Sequence, residues 1–169
     1  MKNLFILVIA IIIPALIFNS CECKKKGLSP EQVKTIKAEI LALLSEAKTA
    51  AEKLDAVAAF ANLSDDSSSV FIFSGRTYNA RQTVELLTKS YSLRESQKLD
   101  LSLDNIKVIS PDAALWTGGG KGEILLKDGK SMTAYLQETW FWQKIQGKWK
   151  VTHLHESAAI PPNAEEKAV

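Results

Sequence analysis

Apolar residues recur at helical spacing over the first half of the chain and alternate with polar residues over much of the second half. The helical spacing predicts a helix over residues 30–62, broken near Ala50, and another over residues 80–91. Ser29 and Gln32 have the spacing of a capping box, which marks the start of the first helix. Alternation predicts strands over residues 70–73, 101–109, 113–117, 123–126, 132–144 and 149–156. This order predicts an α+β domain whose N-terminal helices pack on a strongly curved antiparallel sheet.

The first twenty residues have the layout of a bacterial secretory signal. Lys2 precedes an unbroken apolar run over residues 4–18, and Ser20 and Cys21 follow it. A small residue directly before a cysteine resembles a lipobox, so we expect cleavage before Cys21 and attachment of lipid to it. The alternative is an uncleaved N-terminal anchor, which the lysines at positions 24–26 favour because they place positive charge after the apolar run.

Composition narrows the class of protein. The chain has 169 residues, a formal net charge of +2 and 46% hydrophobic residues, which suits one compact domain. A charge this close to zero provides no basic stripe, so we expect no nucleic-acid partner. We predict a signal peptide at 1–20, a tether at 21–28, a folded domain at 29–158 and a flexible tail at 159–169. The expected location is the bacterial cell envelope, with a membrane-anchored lipoprotein facing the periplasm or the surface.

The predicted hairpin near the C-terminus holds most of the candidate chemistry. A tight turn at positions 146–147 would place Trp140 opposite His153 and Glu138 opposite His155, with Trp142 on the same face. A histidine–carboxylate couple in an apolar setting can transfer a proton or orient a ligand, so these three ionisable residues are the candidate catalytic set. The alternative is an ordinary cross-strand ion pair of Glu138 with His155, the tryptophans being core residues.

Other motifs add little chemistry. Three glycines at positions 118–120 lack the strand–loop–helix setting of a phosphate site and predict a bend in a strand. Two histidines with one carboxylate fall short of a catalytic zinc site, so we expect neither a metal nor a cofactor. The sequence also contains no nucleophile motif for serine or cysteine catalysis. We assign the ligand pocket to Trp140, Trp142 and Thr117.

The segments 138–142 and 147–157 resemble the closing hairpin of the nuclear transport factor 2-like superfamily. The nearest resemblance is to its SnoaL-like group and to the association domain of calcium/calmodulin-dependent kinase II. It extends over residues 30–158 and implies a cone-shaped fold with a deep pocket, often assembled as a homodimer through the sheet. The chain departs from the kinase association domains at Trp140 and Glu156, where those domains carry arginines directed at the pocket.

The resemblance implies a wide range of functions, because its members include isomerases, cyclases, dehydratases and binding modules. Our leading hypothesis is an envelope-anchored domain that binds a small-molecule ligand in the pocket. The first alternative is a proton-transfer isomerase or lyase that uses His153 or His155 with Glu138. The second alternative is a non-catalytic homodimerisation module.

Overall fold

The computed structural model describes residues 27–159. The predicted signal peptide, Cys21 and nearly all of the predicted tail therefore lie outside the described residues. Within the described residues, no helix is both long and apolar enough to cross a membrane.

Between residues 27 and 159, three helices precede or interrupt the strands. Helix α1 spans Pro30–Glu52, α2 spans Ala56–Ala59 and α3 spans Ala80–Ser92. The predicted capping box is present, since the Ser29 side chain accepts from the Gln32 backbone and the Gln32 side chain accepts from the Ser29 backbone. The predicted break near Ala50 agrees with the structure, in which α1 ends at Glu52 and the short α2 follows, but the prediction of helix as far as residue 62 is wrong beyond Ala59. The chain turns between α1 and α2 through Leu54, whose φ of +61° is incompatible with a right-handed helix.

The strands form one sheet. Their bounds are β1 Val70–Phe73, β2 Arg76–Tyr78, β3 Arg94–Leu101, β4 Ile106–Ser110, β5 Ala113–Leu126, β6 Ser131–Ile145 and β7 Lys148–Ala159. The order across the sheet is β2-β1-β7-β6-β5-β3, and β4 pairs with the first part of β5 beside β3. The predicted α+β class is confirmed, but the sheet is mixed rather than wholly antiparallel, because β1 runs parallel to β7.

Strand β5 runs through the three glycines without ending. Two separate strands, over residues 113–117 and 123–126, were expected, but β5 is continuous and pairs with β6 along its length. A side chain at Gly120 would overlap the Asp100 backbone carbonyl, and one at Gly118 would overlap the Trp116 ring and the Ser102 carbonyl. The glycines therefore let the end of β3 and the following segment approach β5 closely, which is how they contribute to the shape of the sheet.

One face of the sheet, here called the inner face, packs against the helices. The residues buried on α1 are Ile36, Ile40, Leu44, Ala47 and Ala51, which follow helical spacing. The first four join one core with side chains from β1, β5, β6 and β7, among which Trp116 and Trp142 are almost completely buried, whereas Ala51 belongs to a second, smaller cluster. The opposite face is here called the outer face.

A β-bulge between β6 and β7 changes which side chains reach the inner face. Trp142 pairs with Val151 as expected, but Phe141 then pairs with His153, so that Thr152 is the extra residue of β7. The expected pairing of Trp140 with His153 is therefore wrong, and Trp140 pairs with Leu154. A shift of one residue moves every later side chain of the strand to the other face.

Candidate functional site

A cavity of about 350 Å³ lies between the helices and the inner face of the sheet. Its wall is mainly apolar and aromatic, with contributions from α1, α3 and four strands. Prominent members of this wall are Leu44, Phe60, Leu87, Leu101, Leu136 and Trp140. The volume is within the range of small-molecule sites, which commonly combine an apolar wall with a few convergent polar groups.

Two glutamates face this cavity from neighbouring strands. Glu138 on β6 and Glu156 on β7 are direct cross-strand partners, and both line the cavity. We call them the carboxyl pair. Glu138 is only 8% exposed, and its Oε2 accepts a hydrogen bond of 2.7 Å from Trp140 Nε1. Like charges directly opposite each other destabilise a sheet, so this arrangement favours a state in which the pair holds a proton.

Burial and proximity raise the pKa values of both carboxyl groups. Burial, followed by the negative charge of Glu156, raises the pKa of Glu138 from 4.5 to about 8, while the Trp140 hydrogen bond acts against this rise. Burial also raises the pKa of Glu156 from 4.5 to about 7, and the positive charge of Arg94 opposes it. Around neutral pH the pair can therefore accept or donate a proton inside an apolar cavity, which is the property required of a general acid–base group.

A polar network continues from the carboxyl pair along the cavity wall. Arg94 donates to Ser90 Oγ at 2.9 Å and to Gln97 Oε1, and its guanidinium carbon lies 4.9 Å from the centre of the Tyr91 ring. Gln97 in turn donates to the backbone carbonyl of Ala51 in α1. Burial raises the pKa of Tyr91 and lowers the pKa of Arg94. This network fixes the arginine near the cavity by contacts with neutral groups.

The candidate residues of the sequence analysis do not all meet at this cavity. Glu138 lines it, but His153 pairs with Phe141 and His155 with Thr139, both on the outer face. His153 is partly buried and His155 is exposed. The bulge at Thr152 is the physical reason, since it reverses the facing of both histidines relative to the expected register.

Of the three residues assigned to the ligand pocket, only one lines this cavity. Trp140 lines the cavity, with its ring centre 6.0 Å from that of Phe60 and 5.7 Å from that of Trp116. Trp142 is fully buried in the core beside it and lies outside the described cavity wall. Thr117 pairs with Thr139, again outside that wall, so the core interpretation left open for the tryptophans holds for Trp142.

Sequence reasoning missed Glu156, Arg94 and Tyr91 as members of one site. Arg94 was overlooked because residues 94–100 were not recognised as a strand. A signal for Glu156 was present: the inward apolar residues Val151 and Leu154 are three apart, whereas a regular strand would space them by two. Such a break in spacing indicates a bulge, and with it Glu156 turns inward.

The described residues, 27–159, contain no group of three or more His, Cys, Asp or Glu side chains that could hold a metal ion. The carboxyl pair by itself offers too few ligands for a structural site of the usual kind.

Comparison with solved structures shows the fold. A nuclear transport factor 2-like superfamily protein from Salmonella enterica serovar Typhimurium matches at 20% identity with a TM-score of 0.65, covering 79% of this chain and 98% of that chain. A ketosteroid isomerase-like protein from Erwinia carotovora atroseptica matches at 22% identity with a TM-score of 0.60, covering 73% and 96%.

A third structure is similar over a comparable length. The hexachlorocyclohexane dehydrochlorinase LinA-type3 from Novosphingobium barchaimii matches at 17% identity with a TM-score of 0.65, covering 80% of this chain and 95% of that chain. The TM-scores of these matches show a nuclear transport factor 2-like fold, and at such low sequence identities they show the fold alone. A comparison with curated protein sequences gives no significant match.

The family model of the calcium/calmodulin dependent protein kinase II association domain matches residues 36–160. The match begins within α1 and extends past the last described strand, so it includes every element that lines the cavity. It agrees with the resemblance seen in the closing hairpin. The chain therefore belongs to the calcium/calmodulin-dependent protein kinase II association-domain family and has the nuclear transport factor 2-like fold.

Proposed function

We propose that this protein binds a small molecule in the cavity between its helices and the inner face of its sheet. The observation that carries the proposal is the cavity itself, about 350 Å³ in volume, with an apolar and aromatic wall and the carboxyl pair at one side. Apolar walls supply affinity by excluding water, and a few fixed polar groups supply orientation.

A thermal-shift screen of the full-length protein against a chemically diverse set of small molecules tests this proposal. A ligand that binds only the native state must raise the melting temperature as its concentration rises. Leu87→Trp would fill part of the cavity from α3, and we expect it to abolish the shift given by any compound that binds there. A complete lack of stabilising compounds, or shifts that persist in Leu87→Trp, would contradict binding in the cavity.

Proton transfer is the second candidate function, and the carboxyl pair is the observation that favours it. Both pKa values are raised to near neutrality. At neutral pH one carboxyl group of the pair can therefore accept a proton while the other is already protonated. Two proteins of similar fold carry the names of a dehydrochlorinase and a ketosteroid isomerase-like protein, which supports proton-transfer chemistry in this type of cavity. In this proposal Glu138 and Glu156 replace the histidines as the acid–base groups.

Exchange of the α-hydrogens of cyclohexanone with D₂O, followed by NMR, tests the second candidate. We expect the wild-type protein to accelerate exchange and Glu138→Gln and Glu156→Gln to lose the acceleration. Glu123→Gln is the matched control, because Glu123 lies on β5 in an exposed ion pair with Lys121. Equal exchange in the wild type and in both pair variants would rule out general base catalysis of this probe by the pair.

We also propose that Cys21 carries lipid and holds the domain at the bacterial envelope. The apolar run before it and the small residue beside it support this proposal. Intact mass spectrometry of membrane-extracted protein should give a chain that begins at Cys21 and carries acyl groups. A mass that retains residues 1–20 without acyl groups would favour the uncleaved anchor.

Homodimerisation, which the family resemblance implies, is a further part of the proposal. Sedimentation velocity at several protein concentrations measures it directly. A strict monomer at all concentrations would exclude a homodimerisation module.

A further inference from the structure

We propose that the ligand of the cavity is a small apolar amine, bound as its ammonium ion between Glu138 and Glu156. This inference rests on the proposed small-molecule binding and specifies the chemical class of the ligand. Its starting point is the direct pairing of two carboxyl groups at the wall of an otherwise apolar cavity. Such a pair needs hydrogen-bond donors and positive charge from whatever lies next to it.

The neighbouring protein groups supply little of that charge directly. Trp140 donates one neutral hydrogen bond to Glu138. Within the described part of the chain, neither member of the carboxyl pair forms an ion pair with a lysine or arginine. The pair therefore retains acceptor oxygens that a ligand with several N–H donors can use.

The two cations that line the cavity have other partners. Lys48 forms an ion pair of 2.9 Å with Glu52 on the next turn of α1. Arg94 donates to Ser90 and Gln97 and stacks on Tyr91. To bind Arg94, an anionic ligand would have to break the contacts of the arginine with Ser90, Gln97 and Tyr91. The ligand would also lie close to the carboxyl pair, whose negative charge would repel it, so an acidic ligand is less favourable than a basic one.

The charges inside the cavity can be balanced both in the presence and in the absence of a bound ammonium ion. When the carboxyl pair holds one proton, its single negative charge is balanced by the nearby positive charge of Arg94. An ammonium ion can replace that proton, because the second carboxylate charge formed on proton release matches the charge brought by the ligand. The net charge enclosed by the cavity is the same before and after binding, so no uncompensated charge is buried.

The aromatic wall suits the remainder of such a ligand. Trp140 is in ring contact with both Phe60 and Trp116, and all three line the same cavity as the carboxyl pair. Aromatic faces attract an organic ammonium ion and also bury the hydrocarbon attached to it. A compact body such as a phenyl ring is therefore expected to lie against these three side chains.

Three probes of nearly equal shape test the inference: benzylamine, benzyl alcohol and benzoate, which are a cation, a neutral donor and an anion at pH 7. Isothermal titration of the full-length protein gives the dissociation constant of each. We expect benzylamine to bind about tenfold or more tightly than benzyl alcohol, because hydrogen bonds to charged groups contribute more than neutral ones. We expect benzoate to bind weakest.

Variants assign the preference to the carboxyl pair. In Glu138→Gln and in Glu156→Gln the benzylamine affinity should fall about tenfold, whereas the benzyl alcohol affinity should stay within about threefold of the wild type. Retained binding of the alcohol shows that the variant cavity is still folded. Glu123→Gln, on the exposed surface of β5, should leave all three affinities unchanged.

Proton release gives a second readout that a general apolar effect would not produce. Titration with benzylamine in two buffers of different ionisation enthalpy should show release of protons at pH 7 in the wild type and a smaller release in Glu156→Gln. The ionisable groups facing the cavity are Glu138, Glu156, Arg94, Tyr91 and Lys48. The release near this pH is assigned to the two carboxyl groups, since burial raises the pKa of Tyr91 above its ordinary value of 10.

The possible failures can be told apart. Binding of benzyl alcohol or benzoate as tight as that of benzylamine would overturn the amine inference while leaving small-molecule binding intact. Tight benzylamine binding that survives in both pair variants would also overturn it. Absence of binding by all three probes would overturn the inference as well, and the independent thermal-shift screen would then decide whether the cavity binds other small molecules.

Discussion

Replacing Glu138 by glutamine is expected to stabilise the protein at pH 8 and to change its stability little at pH 4.5. In the unfolded chain the carboxyl group ionises near pH 4.5, whereas in the folded protein its pKa is about 8. Between these values the folded protein keeps a proton that the unfolded chain has lost. The free energy of unfolding therefore falls as pH rises through this interval, and glutamine, which does not ionise, removes that loss.

The magnitude follows from the same two pKa values. Each unit of pKa difference corresponds to about 1.4 kcal/mol, so the interval from 4.5 to about 8 corresponds to about 5 kcal/mol at pH 8. Because Glu138 and Glu156 titrate together, this figure is the upper limit for one residue. Glutamine can also accept the Trp140 hydrogen bond through its amide oxygen, so the substitution leaves that indole N–H satisfied.

Urea denaturation at pH 4.5 and at pH 8, followed by tryptophan fluorescence, measures the effect. The quantity to compare is the difference in unfolding free energy between Glu138→Gln and the wild type at each pH, since ionisable groups elsewhere cancel in this difference. Glu123→Gln serves as the exposed control and should change little in either condition. If Glu138→Gln gave the same difference at both pH values, or destabilised the protein at pH 8, the carboxyl pair would not be protonated as argued.

Three further predictions test other parts of the structure. Gly120→Ala should destabilise the protein by about 3 kcal/mol or more, because its methyl group would overlap a backbone carbonyl of β3 and backbone cannot yield as a side chain can. Gly122→Ala is its control, since its methyl group would meet a flexible leucine side chain at 3.3 Å. Equal losses in the two variants by urea denaturation would contradict the close approach of β3 at Gly120. Trp140→Phe should lower stability by about 1–3 kcal/mol through loss of its hydrogen bond to the carboxyl pair, and a neutral effect would contradict that bond. His153→Asn combined with His155→Asn should leave the affinity of cavity ligands within about twofold of the wild type, because both residues lie on the outer face. A large loss of affinity in titration calorimetry would indicate that the histidines contribute to the site.

Much of the fold was predictable because its signals are local. The Ser29 capping box, the apolar stripe of α1 and the Gln146-Gly147 turn each depend on a few neighbouring residues, and all three are present in the structure. A break near Ala50 was predicted, but the shortness of the helix that follows it was not predictable from periodicity. Alanine-rich sequence around the break favours helix, and the turn at Leu54 depends on packing of the short α2 against neighbouring elements.

The candidate site was harder to predict because it depends on register over a long distance. Trp140 and Glu138 were expected on the inner face and are found there. The histidines were expected beside them because the pairing was counted regularly from the turn. One extra residue, Thr152, is enough to exchange imidazole for carboxylate at the cavity.

The position of β7 between β1 and β6 has a consequence for biosynthesis. Strand β1 cannot form its parallel pairing until a strand about eighty positions later in the chain has been synthesised, since Val70 pairs with His153. The second member of the carboxyl pair, Glu156, comes from the same late strand. A nascent chain that has emerged only as far as β6 therefore exposes an unpaired strand edge and an open cavity wall. The cavity is complete only after nearly the whole domain has left the ribosome. Early folding must therefore depend on the helices and on the pairings formed before β7, which join β1 to β2 and β5 to β3, β4 and β6.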